Sequence, residues 1–510
     1  MPLACTLAVA LTGLEGQLVE VECDISNGLP GLSFTGLPDA SVLQSRERVR
    51  SAVLNSGVDW PHQKITMALL PADLPKVGSR FDLALALAVL AAAGSVPANS
   101  VGRAVWIAEL GLDGRLRPVR GVLPSVLTAR RLGARRVVVA TANAAEAALV
   151  SEVDVRSAEH LGEIVGWLTG EGPALPPVSA GDPAPDPAAG ADLADVAGQT
   201  FAKRALEIAA AGAHHLYMVG TPGAGKTMLA ERLPGLLPLL DDAESMEVTA
   251  IHSIAGLLSE RPQLVRRPPL QAPHHTATVA SLVGGGSRLA RPGAISLAHH
   301  GVLFLDEAPE FSPRVLDALR QPLESGSVVL HRSGGAVRYP ALFQLVLAAN
   351  PCPCGKPALN CTCPPMTKRR HEQRLSGPLL DRIDLRVQVD PVAHADLFDK
   401  TAGRESSATV AARVVAARSA AAARWKATPY RLNAAVPGSI LRNGPWALTS
   451  EVLRPARHQL EKGALSARGF DRVLRLTWTL ADLAGRTVPS VEDISEALYF
   501  RTGQETSWAA

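Results

Sequence analysis

Nothing in the 510 residues is long and apolar enough to cross a bilayer, and neither an internal repeat nor a heptad pattern is present. The longest apolar run, LALALAVLAAAG at 83–94, falls short of the roughly 18 to 20 residues a spanning helix needs, and Asp82 borders it. It reads as a buried helix of a globular core. The opening MPLACTLAVALTGLEG lacks the basic start of a leader and runs on into the alternation QLVEVECDI, so strands are expected there. A cytoplasmic protein with no membrane partner is the expectation. A formal net charge of +3 is too small to point to nucleic acid by itself, so any polyanion site must come from local clusters of Arg and Lys.

Cysteine is scarce, with six in the chain. Without an export signal the thiols are expected to be free or metal-bound. Cys5 and Cys23 read as small core residues. The other four, Cys352, Cys354, Cys361 and Cys363, crowd into ANPCPCGKPALNCTC at 349–363. Two thiolate pairs in so short a loop can close a tetrahedron around one zinc ion. C-x-C is a weaker zinc signature than C-x-x-C, so a free-thiol loop packed by prolines stands beside that reading.

With 47% hydrophobic residues the chain can build several packed cores. The stretch EGPALPPVSAGDPAPDPAAG at 171–190 has no hydrophobic period and reads as an extended linker. It separates an α/β domain at 1–170 from a second α/β domain at 191–390, which an Ala-, Arg- and Leu-rich helical region at 391–510 follows. In that last region VPSVEDISEAL offers Ser490 as a helix cap, with Asp493 three residues on.

The most specific chemistry lies in HLYMVGTPGAGKTMLAERL, a strand, then G-x-x-x-x-G-K-T, then a helix. Gly220, Gly223 and Gly225, with Thr221, Pro222 and Ala224 between them, let backbone N–H groups converge on ATP phosphates at a helix N-terminus. Lys226 is expected to reach the β- and γ-phosphates, and Thr227 to offer its hydroxyl to Mg2+. Further on, HHGVLFLDEAPEF is an apolar strand ending in two carboxylates. Asp306 is placed for the Mg2+ shell and Glu307 as general base for the attacking water. FQLVLAAN ends in Asn350, placed to orient water or sense the γ-phosphate.

In this order the P-loop, VLFLDE, the strand-terminal Asn and LSGPLLDRIDL resemble an AAA+ ATPase of the magnesium-chelatase-like group. RPGAISLAHHGVLFLDE and NPCPCG are similar to the ComM (YifB) family in particular. The resemblance implies a homo-hexameric ring with ATP sites between subunits, Arg382 of LDRID reaching the neighbour's nucleotide, and Arg468 of a helical lid sensing phosphate in cis. Arg472 and Arg475 share the Arg468 helix. It also implies a DNA motor that drives branch migration of recombination intermediates in natural transformation. A chelatase-like motor that remodels a protein or inserts a metal is the alternative. The Gly-rich insert with His274 and His275, and a hairpin around Ser333-Gly334-Gly335 with His331, Arg332 and Arg338, are candidates to face a pore. TKRRHEQR, from Thr367, adds a basic cluster.

The first domain resembles the Lon protease fold over LLPADLPKVGSRFDLALALAVL and GRLRPVRGVLPSVLTA. The nucleophile position falls on Arg80, with Ser79 one residue off, and the lysine position on Leu123. Neither half of a dyad remains, and leucine cannot act as a base, so no peptidase activity is expected. Assembly or DNA contact is the alternative role, with Arg46, Arg48, Arg50, Arg130, Arg131, Arg135 and Arg136 as candidates.

Overall fold

The computed structural model describes residues 3–179, 181, 190–259, 261–286, 290–332, 335–356, 361–392 and 404–502. The expected hairpin turn at Ser333 and Gly334, the Arg332 side chain and the middle of the linker lie outside the described residues.

The alternation at the N-terminus becomes two long antiparallel strands, β1 (Leu3–Thr12) and β2 (Glu15–Ser26), paired from Leu3↔Asp24 to Thr12↔Glu15. Val19, Val21 and Cys23 point inward and are fully buried, whereas Glu20 faces out, as a half-buried strand requires. Five more strands complete the sheet: β3 (Gly31–Thr35), β4 (Lys64–Leu70), β5 (Val105–Ile107), β8 (Arg136–Ala140) and β9 (Asp154–Ala158). Their order is β3-β4-β2-β1-β5-β8-β9, with β6 (Glu109–Leu110) and β7 (Leu116–Arg117) forming a separate pair. The apolar run of the sequence is the helix Asp82–Ala92, every residue of which is buried. A helix without a polar face has no solvent side, so it is a core element.

The second domain is a five-stranded parallel sheet ordered β11-β14-β17-β10-β18. The strands are β10 (Leu216–Gly220), β11 (Leu270–Gln271), β14 (Val302–Leu305), β17 (Gln344–Ala349) and β18 (Leu385–Val389). Both faces are covered, which is why β14 and β17 are buried at every position. Two antiparallel pairs lie apart from this sheet among the described residues: β12 (Gly284–Gly285) with β13 (Arg291–Pro292), and the hairpin β15 (Ser327–Arg332) with β16 (Gly335–Pro340).

Among the described residues five α-helices make up the C-terminal region, the longest being Ser407–Arg424 and Ala467–Leu483. They share one apolar core with the helices Thr200–Gly212 and Lys226–Leu236, through Trp425, Leu474 and Trp478 among others. The Ser490 cap forms as the motif predicts: Ser490 N–H donates to Asp493 at 2.7 Å, and Asp493 N–H donates to the Ser490 hydroxyl at 3.4 Å.

The described part of the expected linker is not all free. Leu175 is buried, and Val178 N–H donates to the Val155 carbonyl at 2.9 Å, so 171–178 lies against β9. The first domain also docks on the second. The helix Asp242–Ala255 places Ala250 in the core behind β5 and β8, and its Ser253 hydroxyl donates to buried Glu146. Of the seven candidate arginines, Arg48 pairs with Asp82 at 2.9 Å, Arg136 with Asp154 at 2.6 Å, and Arg131 binds the Gly16 carbonyl. Those three have structural partners.

Candidate active site

β10 runs out at Gly220 so close to β18 that a Cβ there would stand 2.2 Å from the Val389 carbonyl oxygen. Only glycine fits. Gly223 and Gly225 have φ of +78 and +95, the left-handed backbone that a side chain disfavours. Together they turn the chain into the helix Lys226–Leu236 with its N-terminal amides at the loop. Gln199, which the sequence reading did not single out, braces the loop from outside by donating to the Ala224 and Asp390 carbonyls at 3.0 and 2.6 Å.

Lys226 is nearly buried. Its Nζ donates to the Gly220 and Thr221 carbonyls at 2.7 and 3.0 Å and to Asn350 Oδ1 at 3.1 Å. Burial lowers its pKa from the ordinary lysine range, while Asp306 and Glu307 pull the other way. A phosphate there would replace neutral oxygens by a full counter-charge. The Thr227 hydroxyl donates to Asp306 Oδ2 at 2.7 Å, so the two groups expected to hold Mg2+ already meet. Hydroxyl and carboxylate oxygens are the hard donors that ion prefers. Asp306 also accepts from Glu307 N–H at 2.9 Å.

Glu307 has φ +50, an unusual conformation for a residue with a side chain, and its carboxylate lies 3.3 Å from His275 Nδ1. The insert histidine, a candidate to face a pore, therefore faces the expected general base. Neither pattern nor spacing signals this contact.

The two arginines stand apart from these groups. Arg382 donates to the Pro378 carbonyl at 2.5 Å and pairs with Glu324 of its own chain. Arg468 is exposed in the first turn of the helix Ala467–Leu483 and has no hydrogen bond or ion pair among the described residues. Its helix neighbours are occupied: Arg472 binds buried Asp384 at 2.8 Å, and Arg475 the Val436 carbonyl at 2.7 Å. Burial would raise the Asp384 carboxyl, but Arg472 and His214 hold it well below the usual carboxylate range.

The four clustered cysteines do converge. Their sulfurs all lie within 4.8 Å of one another, with Cys352 at 3.2 Å from Cys354 and 3.4 Å from Cys361. A zinc–sulfur bond of about 2.3 Å implies roughly 3.8 Å between sulfurs of a tetrahedron, so the set fits the ion. None forms a disulfide. A second cluster, Glu247 with His299 and His300, is different in kind. His299 Nδ1 accepts Leu342 N–H at 3.0 Å, which leaves the proton on Nε2, facing Glu247 at 3.0 Å. That is a satisfied hydrogen bond, with the ring held neutral by burial and its pKa pushed down to about 4.

In the first domain the positions that the Lon resemblance sets against a dyad carry Arg80 and Leu123. Arg80 donates to Ser125 Oγ at 3.1 Å and to the Arg120 carbonyl at 2.8 Å, and Leu123 is fully buried. The Ser79 hydroxyl donates to Glu109, not to an amine.

A P-loop on the strand between β17 and β18, a carboxylate pair on β14, an asparagine ending β17 and a helical lid define the class: a magnesium-chelatase-like AAA+ ATPase. The sequence matches the family described as magnesium chelatase, subunit ChlI, over residues 192–397, and that subunit's C-terminal region over 404–501. Residues 21–143 match a further family described as subunit ChlI of Mg-chelatase. Full-length relatives narrow this. The chain is 43% identical to YifB of Salmonella typhimurium, over 98% of its length and 97% of the relative's. It is 40% identical to competence protein ComM of Haemophilus influenzae, over 98% of each. An uncharacterised protein of Mycobacterium tuberculosis is 53% identical over 98% of this chain and 99% of its own. The protein belongs to the ComM/YifB family.

Proposed function

We propose that this ATPase is a cytoplasmic motor that assembles as a homo-hexameric ring and drives branch migration of DNA recombination intermediates through its central pore. The observation that carries the reading is a candidate phosphate site that gathers every expected group but the two arginines. Lys226, Thr227, Asp306, Glu307 and Asn350 gather at the loop, while Arg382 sits away from them on its own Glu324. An arginine from a neighbouring copy would supply the positive charge as the γ-phosphoryl group leaves. Bound ATP would be cradled by residues 220–227, with Mg2+ on Thr227 and Asp306. Glu307 would orient and deprotonate water once released from His275, Asn350 would hold the γ-phosphate, and Arg468 would close over it from the lid.

The name of the Haemophilus relative, a competence protein, supports DNA as the partner. The hairpin β15–β16, paired separately from the five-stranded sheet, adds exposed His331 and Arg338. One structural zinc ion on Cys352, Cys354, Cys361 and Cys363 completes the cofactors. The second reading, a chelatase-like protein-remodelling or metal-inserting ATPase, is favoured by the matches to the chelatase subunit.

ATP turnover measured with and without a synthetic four-way DNA junction, alongside a gel assay of junction resolution, separates the two. The DNA motor shows stimulated turnover and ATP-dependent conversion of the junction. Turnover indifferent to DNA, with no conversion at any ring concentration, rejects it in favour of the protein-directed reading.

A further inference from the structure

The segment 350–374 leaves the nucleotide site and returns to it. Asn350 touches Lys226 through its side chain. The chain then enters the cysteine turn, where Gly355 has φ +65 and lies so near the P-loop that a Cβ on it would be 2.7 Å from Pro222 Cγ. After Cys363 the helix Pro365–Glu372 carries the chain back. Buried His371 donates from Nε2 to the backbone carbonyl of Asn350 at 3.1 Å. Arg374 pairs with Glu310 at 2.7 Å, and Glu310 N–H donates to the Glu307 carbonyl at 2.7 Å. One segment thus contacts the P-loop, the asparagine beside Lys226 and the turn that begins at Glu307.

Among the described residues little apolar packing holds it in that shape. Among the described residues of 351–374 only Cys352 and His371 are buried. The return helix has eight residues, Met366 on it is 72% exposed, and helices this short are marginal in water without packing. Ordering a backbone costs about 1–2 kcal/mol per residue, which the few contacts named above do not offset. The one feature that can is the set of four sulfurs, because metal binding to a loop contributes its free energy to the loop's folding.

We infer that zinc on the four cysteines is a positioning element of the ATP site: it presses Gly355 on Pro222 and seats His371 under Asn350, so zinc occupancy sets the turnover rate. This rests on the zinc and ATPase readings above. His371 acts through Asn350 and is a positioning residue. When the loop is released, Asn350 and the P-loop lose their outer support, and nucleotide still binds through Lys226 and the amides. The rate falls further than the affinity.

The test uses the full-length protein with zinc counted by elemental analysis. Zinc is removed with phenanthroline under reducing conditions and then restored, and kcat and KM for ATP are measured in each state. Removal is expected to lower kcat by about tenfold or more, since a misplacement of about 1 Å costs on the order of 10²-fold, with a smaller change in KM. Restored zinc recovers the rate. His371→Ala is expected to keep its zinc and show the same loss of kcat, and His371→Gln, which keeps an N–H donor, to recover most of it. A folded zinc-free protein that turns over ATP at the loaded rate overturns the inference, as does a fully active His371→Ala. A protein that takes up no zinc even when it is supplied in excess refutes the metal reading, and the inference falls with it. Turnover that survives Lys226→Ala places ATP hydrolysis away from this P-loop instead, and the coupling falls with that.

Discussion

Two regions of this chain carry clustered polar groups, and they use them differently. At the P-loop the residues that carry chemistry stand where their chemistry requires: Lys226 beside Asn350, Thr227 on Asp306. In the first domain the corresponding positions hold Arg80 and Leu123, and their surroundings have become a joint. Glu146 accepts Leu123 N–H at 2.8 Å and the hydroxyl of Ser253 from the neighbouring domain. A Cβ on Gly256, at the end of that docking helix, would lie 2.7 Å from Arg120 Nε, and Arg120's carbonyl binds Arg80. Contacts of this kind stabilise a joint between domains and tolerate a range of side chains. A phosphate site has no such latitude, because its amides, cation and carboxylates act on one small anion.

The comparison breaks most visibly at Lys226. Lys226→Ala is expected to abolish both ATP binding and hydrolysis, whereas Glu307→Gln should keep binding and lose turnover; equilibrium binding of a fluorescent nucleotide and a phosphate-release assay separate them. Next comes Arg382→Ala, expected to cut turnover by on the order of 10³ to 10⁵ while binding stays nearly intact. Because the arginine is proposed to act in trans, mixing it with Glu307→Gln subunits should restore some turnover, and no recovery in co-assembled rings would place Arg382 in its own subunit's site.

A smaller effect tests the joint. Glu146→Ala leaves the Leu123 N–H and the Ser253 hydroxyl without a partner, and a buried unpaired donor costs about 1–3 kcal/mol. Denaturant unfolding should show that loss with kcat for ATP little changed. Equal stability of variant and parent would mean the joint is not formed in solution. The smallest effect is expected at Ser79→Ala: no cleavage of an unfolded protein substrate before or after the change, and unaltered ATP turnover. ATP-dependent cleavage that disappears in this variant would return the first domain to the proteases.

The P-loop, the β14 carboxylates and Asn350 were legible because each motif is contiguous and its flanking strand is an unbroken apolar run, which a parallel sheet covered on both faces demands. The helix Asp82–Ala92 was legible for the same reason. The serine cap at Ser490 needs only a spacing of three, so it too could be read locally. The linker was read in part wrongly from its prolines: edge pairing to β9 uses backbone groups, and composition says little about those. Arg48 and Arg136 of the first domain could not be told apart from solvated arginines in the sequence, because a charge pattern does not show the carboxylate, Asp82 or Asp154, that packs beside each.

What the sequence determined by itself is the phosphate-cradling loop at 220–227 and the strand-end residues Asp306, Glu307 and Asn350, since each follows directly from a contiguous motif. What the tertiary structure decided is how those groups are held. His275 on Glu307, Gly355 on Pro222, Arg382 on Glu324 and Ser253 on Glu146 each join parts of the chain far apart in sequence, the last pair across 107 residues. No local period or propensity encodes such a meeting. It arises when packed sheets and helices fix their loops in space, and the side chains at those loops then find whichever partner the packing has brought within reach.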